Sequence, residues 1–157
     1  MAKGRILEQN SGAFGKEVYP IILVQDSTTT RELSVDMSGS LVVLRACGGA
    51  TLVNLPDAAN NAGVYYEFMI NENLDNTITV QSLDGTDFFL GFVSDAEADA
   101  QAEVAFNGTS HDQMIFANGA GKGDIHVKCV CDGDNWLVIG QANDISDISA
   151  GTGSSNT

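Results

Sequence analysis

A chain of 157 residues with 43% hydrophobic content suits one domain, burying roughly 70% of the surface its unfolded form exposes. Seven basic residues against 21 acidic ones leave a net charge of −14, which excludes nucleic acids and anionic membranes as expected partners, because both need a basic footprint. Seventeen glycines against two prolines fit many tight turns between strands and not a helical bundle.

Residues 1–17 carry no sustained periodicity and read as an extended N-terminal arm. Within residues 1–16, Lys3, Arg5 and Lys16 stand against Glu8, a balance of +2, while the remainder of the chain holds four basic and 20 acidic residues. The basic start is followed by no apolar core, so a secretory signal is not expected. Residues 18–25 (VYPIILVQ) form a strand in which Pro20 marks an edge or a bend. A loop over 26–30 and a short strand over 32–35 follow. Leu41-Val42-Val43-Leu44 is an apolar strand, Gly48-Gly49 a break, and the next short strand stops at Pro56, which has no N–H for a ladder. Residues 57–63 (DAANNAG) make a corner or one loose helical turn, and residues 64–70 form a strand dense in aromatic and β-branched residues.

Strands are expected again over 77–81, 88–93, 103–106 and 113–117. An acidic insert, residues 94–103, separates the second of these from the third, and Asn107-Gly108 is a strong turn signal. Residues 125–131 alternate, with Ile125, Val127, Cys129 and Cys131 on one face and His126, Lys128 and Val130 on the other. Asp132-Gly133-Asp134 turns the chain into a closing strand over 135–141. Residues 143–157 lack aromatics and end GTGSSNT, the composition of a flexible C-terminal tail. About ten short strands with no long amphipathic helix predict an all-β domain over 18–142, a compact antiparallel β-sandwich or barrel. No internal repeat is visible.

The chemistry-bearing residues form no persuasive constellation, so no catalytic residues, no metal site and no cofactor are expected. Residues 119–124 (GAGKGD) look superficially like a phosphate loop, but Phe116 stands where its first glycine would fall and Gly123 replaces the Ser or Thr after Lys122. Asp95, Glu97 and Asp99 alternate like cation ligands, yet Ala100 occupies the position of the glycine a calcium loop needs. His111-Asp112 has no Gly-x-Ser-x-Gly elbow to go with it. Asn107-Gly108-Thr109 matches a glycosylation acceptor. Cys47, Cys129 and Cys131 are odd in number, give no disulfide framework, and read as buried small hydrophobes made in a reducing cytoplasm. Trp136 reads first as a core anchor and second as a ligand-stacking residue.

The order of four features carries a resemblance: the LPDAANNAG corner, the aromatic strand YYEF, the strand Asn76-Thr77-Ile78-Thr79-Val80, and the Asp132-Gly133-Asp134-Asn135-Trp136 hairpin. Together they resemble a β-module of tailed-bacteriophage virion proteins, across roughly residues 18–142. The acidic insert 94–103 departs from that pattern. The resemblance implies a non-enzymatic structural protein: a capsid decoration (cement) protein that binds the major capsid protein on the outer surface of the phage head, stabilises it, and is made in the host bacterial cytoplasm. It further implies a homo-oligomer, with a trimer favoured. The alternative in the same family is a tail-fibre or receptor-binding module that recognises host surface glycans; the short chain favours decoration. In the arm, Lys3, Arg5, Ile6, Leu7, Phe14 and Lys16 are the candidate capsid-contact residues, the apolar three as anchors and the charges for orientation.

Overall fold

The computed structural model describes residues 20–25, 30–83, 86–97 and 102–153. They are mostly strand and form two mixed sheets packed together. The larger sheet runs, edge to edge, β1 (Ile21–Val24), β3 (Ser40–Leu44), β5 (Tyr65–Ile70), β10 (Ile125–Cys131), β11 (Trp136–Ala142), β7 (Phe89–Asp95) and β8 (Glu103–Asn107). The smaller runs β12 (Ile148–Gly151), β9 (Gln113–Phe116), β6 (Ile78–Gln81), β4 (Thr51–Asn54) and β2 (Thr30–Glu32).

The all-β expectation holds, but the sheets are not antiparallel. The pairs β1–β3, β3–β5, β2–β4, β4–β6 and β7–β11 are parallel. The cause is the path of the chain. From β1 to β6 it crosses from one sheet to the other at every step, so a strand's neighbour in its own sheet is two elements on and runs the same way. The result is three stacked coils, each giving one strand to either sheet, with no repeat in the sequence to announce them. Pro20 immediately precedes β1, an edge of the larger sheet, as a proline in that stretch requires.

The expected hairpin is present: β10 and β11 pair antiparallel from Ile125 opposite Ala142 to Cys131 opposite Trp136. Asp132 closes it, its Oδ1 accepting the N–H groups of Asp134 at 2.9 Å and Asn135 at 2.7 Å. The corner over 57–63 is a turn and not a helix. Asp57 Oδ1 accepts from Ala59 N–H, Asn61 N–H bonds to Ala58 O, and Gly63, at φ +88°, donates to Cys131 O. The short strand expected over 32–35 lies earlier, at β2, and Val35–Met37 is a 3-10 turn.

The flexible tail expected over 143–157 is corrected for residues 144–151. Asp144 caps a 3-10 turn, Ile145–Asp147, by accepting Ser146 N–H, and β12 then pairs antiparallel with β9. Ile148 is buried in the core and Ile145 packs against it. Two isoleucines suffice to hold a segment whose overall composition resembles a linker.

The core lies between the sheets. The larger supplies Tyr66, Phe68, Phe89, Val127, Cys129 and Trp136, the smaller Val53, Ile78, Val80, Met114 and Phe116. Phe68 and Phe116 join the layers with ring centroids 6.4 Å apart. Each such fully buried side chain contributes roughly 1.5–3 kcal/mol. Across the smaller sheet, Glu32, Asn54, Gln81 and Gln113 stand side by side in register. They form a ladder: Asn54 Nδ2 donates to Glu32 Oε1 (2.7 Å), Gln81 Nε2 to Asn54 Oδ1 (2.9 Å), and Gln113 Nε2 to Gln81 Oε1 (3.2 Å).

Candidate functional site

The residues singled out for chemistry are in structural use. Trp136 is fully buried, its ring 5.9 Å from that of Tyr66, so it is the core anchor and not a stacking platform. His111 Nδ1 accepts Asn107 N–H at 3.2 Å and its ring stands edge-on to Phe106, while the neighbouring Asp112 caps Gly153 N–H. The glycine-rich loop uses its own amide groups: Gly119 donates to Leu74 O, Gly121 to Asp147 Oδ2, Lys122 to Asn73 Oδ1 and Gly123 to Ile70 O. That is the opposite of a loop whose amides converge on a phosphate. Burial raises the Asp147 carboxyl above its ordinary value, with Asp144 and Asp124 adding to the effect and the Gly121 amide opposing it.

Cys47, Cys129 and Cys131 are buried and unbridged. Burial pushes the Cys129 thiol far up, which leaves no thiolate to react. Asp95 ends β7 and accepts Glu97 N–H on Oδ1; Asp99 lies outside the described residues. So do all six candidate capsid-contact residues, Lys3, Arg5, Ile6, Leu7, Phe14 and Lys16.

What the structure brings together instead is the outer face of the larger sheet. Alternation sends Tyr66, Phe68 and Ile70 inward from β5 and Tyr65, Glu67 and Met69 outward. The same alternation on the neighbouring strands, with their registers, builds three rows across the sheet. The middle row is Ile21, Leu41, Glu67, Lys128, Ile139, Phe92 and Ala105. Beside it on one side run Tyr65, Val130, Leu137, Leu90 and Asn107, and on the other Leu23, Val43, Met69, His126, Gln141, Ser94 and Glu103. Several large apolar side chains here are open to solvent: Ile21 is 62% exposed, Ile139 59% and Phe92 45%. They fall in two groups, Ile21 and Leu23 on β1 and Leu90, Phe92, Leu137 and Ile139 on β7 and β11, and an exposed apolar patch such as the second marks an interaction surface.

The polar groups of the face are concentrated at its centre. Glu67 lies 3.2 Å from His126 Nε2 and 3.5 Å from Lys128 Nζ, and Lys128 Nζ stands 4.4 Å over the Tyr65 ring. A shallow groove of about 370 Å3, lined by Phe92, Ser94, His126, Lys128, Ile139, Gly140 and Gln141, runs beside this cluster. Among the outward residues of β1, β3, β5, β10, β11 and β7, Glu67 is the one acidic side chain. In a chain with 21 acidic residues, the charge has been kept off this face.

The signal for the face was present in the sequence. Residues 88–93 (FFLGFV) and 136–139 (WLVI) are apolar at every position but Gly91. A strand apolar on both sides, in a sheet that the described residues cover on one side, offers its outer side to a further layer or a partner. Comparison with known proteins gives no relative to set beside this surface: no family model, no curated protein and no solved structure matches the chain.

Proposed function

We propose that the chain is a structural adhesion protein of a tailed-phage virion, a decoration protein that binds the major capsid protein on the outside of the head and stabilises the shell. The observation that carries this reading is the order of the corner, the aromatic strand and the closing hairpin. The outer face of the larger sheet, with several large apolar side chains exposed on a chain of net charge −14, suits protein–protein contact and so an assembly of copies on the shell.

In this proposal the two packed sheets act as a β-sandwich body and the N-terminal arm reaches the shell. Ile6, Leu7 and Phe14 anchor it, and Lys3, Arg5 and Lys16 orient it on an acidic surface. Ordering some fifteen residues costs roughly 1–2 kcal/mol each in backbone entropy, so the apolar anchors must supply most of the gain. Several copies acting together, three by the resemblance, let weak contacts add.

The test is a deletion of residues 1–15 mixed with undecorated capsids. Binding should fall and lose its salt dependence; unchanged affinity with unchanged salt dependence defeats the arm as anchor. A second reading, a tail module for host glycans, draws on Phe92 exposed beside a groove that also holds Gln141 and Lys128. Density for the protein on the tail of the parent particle, and not on its head, would favour it.

A further inference from the structure

We infer that the outer face of the larger sheet pairs with the same face of a second copy of this chain, about a twofold axis that runs along the strands between β5 and β10. Strand order decides which residues meet. The axis exchanges β5 with the partner's β10, β3 with its β11 and β1 with its β7. In the middle row Glu67 then faces Lys128 of the partner subunit and Lys128 faces the partner's Glu67. Leu41 meets Ile139 of the partner subunit, and Ile21 meets the partner's Phe92. The row is therefore complementary to its own reversal, as a twofold contact requires. The neighbouring row sets Tyr65 against the partner's Val130. The third sets Met69 against His126 of the partner subunit and Leu23 against the partner's Ser94.

The remaining strand of the sheet fits the same scheme. β8 has no counterpart under this axis and overhangs the contact, and its outward residues include Glu103 and Asn107, so the contact ends on polar side chains. Six strands at about 4.8 Å span roughly 29 Å, and three rows cover about 20 Å along the strands, some 580 Å2 per copy. Doubled, that is about 1,160 Å2, just under the roughly 1,200–2,000 Å2 of specific interfaces and above the ~800 Å2 of most lattice contacts. A small anion is a poor alternative occupant of the groove, because the Glu67 carboxylate stands 3.5 Å from Lys128 Nζ and would repel it.

The test uses the full chain and light scattering over a concentration series. Wild type should approach twice the mass of one chain. Glu67→Lys sets lysine against the partner's Lys128, and Lys128→Glu sets glutamate against the partner's Glu67. Each alone should weaken pairing by at least about tenfold. Mixed one to one, the two variants face each other with opposite charges in both places, so the mixture should recover the pair. A cross-strand contact within one chain would not be restored by mixing. Circular dichroism confirms that each variant is folded, and Ile139→Glu gives an independent disruption through the apolar part of the row. A monomeric wild type, variants that pair as well as wild type, or a mixture that stays monomeric would each overturn the proposal. A mass of three copies that ignores these substitutions overturns it too and supports the threefold arrangement instead. Pairing does not rest on the shell reading: a chain that pairs yet ignores capsids defeats that reading alone.

Discussion

Gly91→Ala tests the joint on which the outer face depends. Gly91 is opposite Val138 in the parallel β7–β11 pair, at φ +139°. A Cβ there would stand 2.0 Å from the Val138 carbonyl oxygen and 2.9 Å from its carbon. Val138 has little room to move, since Cys129 of β10 pairs with it from the other side. Two costs follow. Holding an L-residue at this φ costs about 1–3 kcal/mol, and forcing a methyl into an occupied place costs about 1–3 kcal/mol more. The sum, roughly 2–6 kcal/mol, is a large part of the ~5–15 kcal/mol a domain has. At ~2–4 °C per kcal/mol for a chain of this size, Tm falls by roughly 4–24 °C. Two other glycines separate the terms. Gly63 has φ +88° and open space around it, so Gly63→Ala carries the backbone cost alone. Gly49 has neither constraint, and Gly49→Ala should be neutral or stabilising by up to about 1 kcal/mol. Thermal and urea unfolding followed by circular dichroism should rank the variants Gly49→Ala, Gly63→Ala, Gly91→Ala in falling stability. If Gly91→Ala is as stable as Gly63→Ala, the Val138 backbone is not where the register puts it. The pairs Leu90–Leu137 and Phe92–Ile139 would then be wrong as well.

Gln81→Ala should destabilise by about 1–3 kcal/mol for each polar group it orphans, here on Asn54 and Gln113, read as a lower urea midpoint with an unchanged slope. Thiol reagents should modify Cys129 no faster than the whole domain opens; rapid labelling of the native protein would contradict its burial. Asp147 has a raised carboxyl, so the folded chain holds that proton more tightly than the unfolded one, and stability is lost as pH rises through the folded value. Asp147→Asn should therefore raise Tm slightly at pH 7, with the gain vanishing below the unfolded carboxylate range. The group is only partly buried and the effect small; a Tm difference that grows on acidification would refute the assignment.

Strand positions were legible because alternation records which side of a strand is buried. β10 falls on the expected residues 125–131 with the expected inward set, and the Asp132 turn follows from its side chain. Strand direction was not legible. Ile78-Thr79-Val80 alternates identically whether its neighbour runs with it or against it, so β4 and β6 could not be known to be parallel. β12 was hidden because Ile148 is one large apolar residue among serines and glycines, and its place is set by β9 and not by its own pattern. The outer face was half legible. Leu137 and Ile139 were visible as strand residues, but a strand apolar on both sides looks the same when both sides are core.

Residue 20 leads directly into Ile21, the first member of the middle row, on the edge strand β1. In the pairing proposed, β1 lies over the partner's β7, so residue 20 stands next to the overhanging β8 of the other copy. That strand follows the acidic insert and begins at Glu103. The arm carries +2 and the rest of the chain 4 basic against 20 acidic residues. Two bodies of that charge repel over the ~8 Å that physiological salt leaves unscreened. In the proposed pairing their closest approach is through a face that carries Glu67 as the one outward acidic residue of its six paired strands. The two proposals therefore predict opposite responses to salt: screening should help the bodies pair and should weaken any hold of the basic segment on an acidic shell.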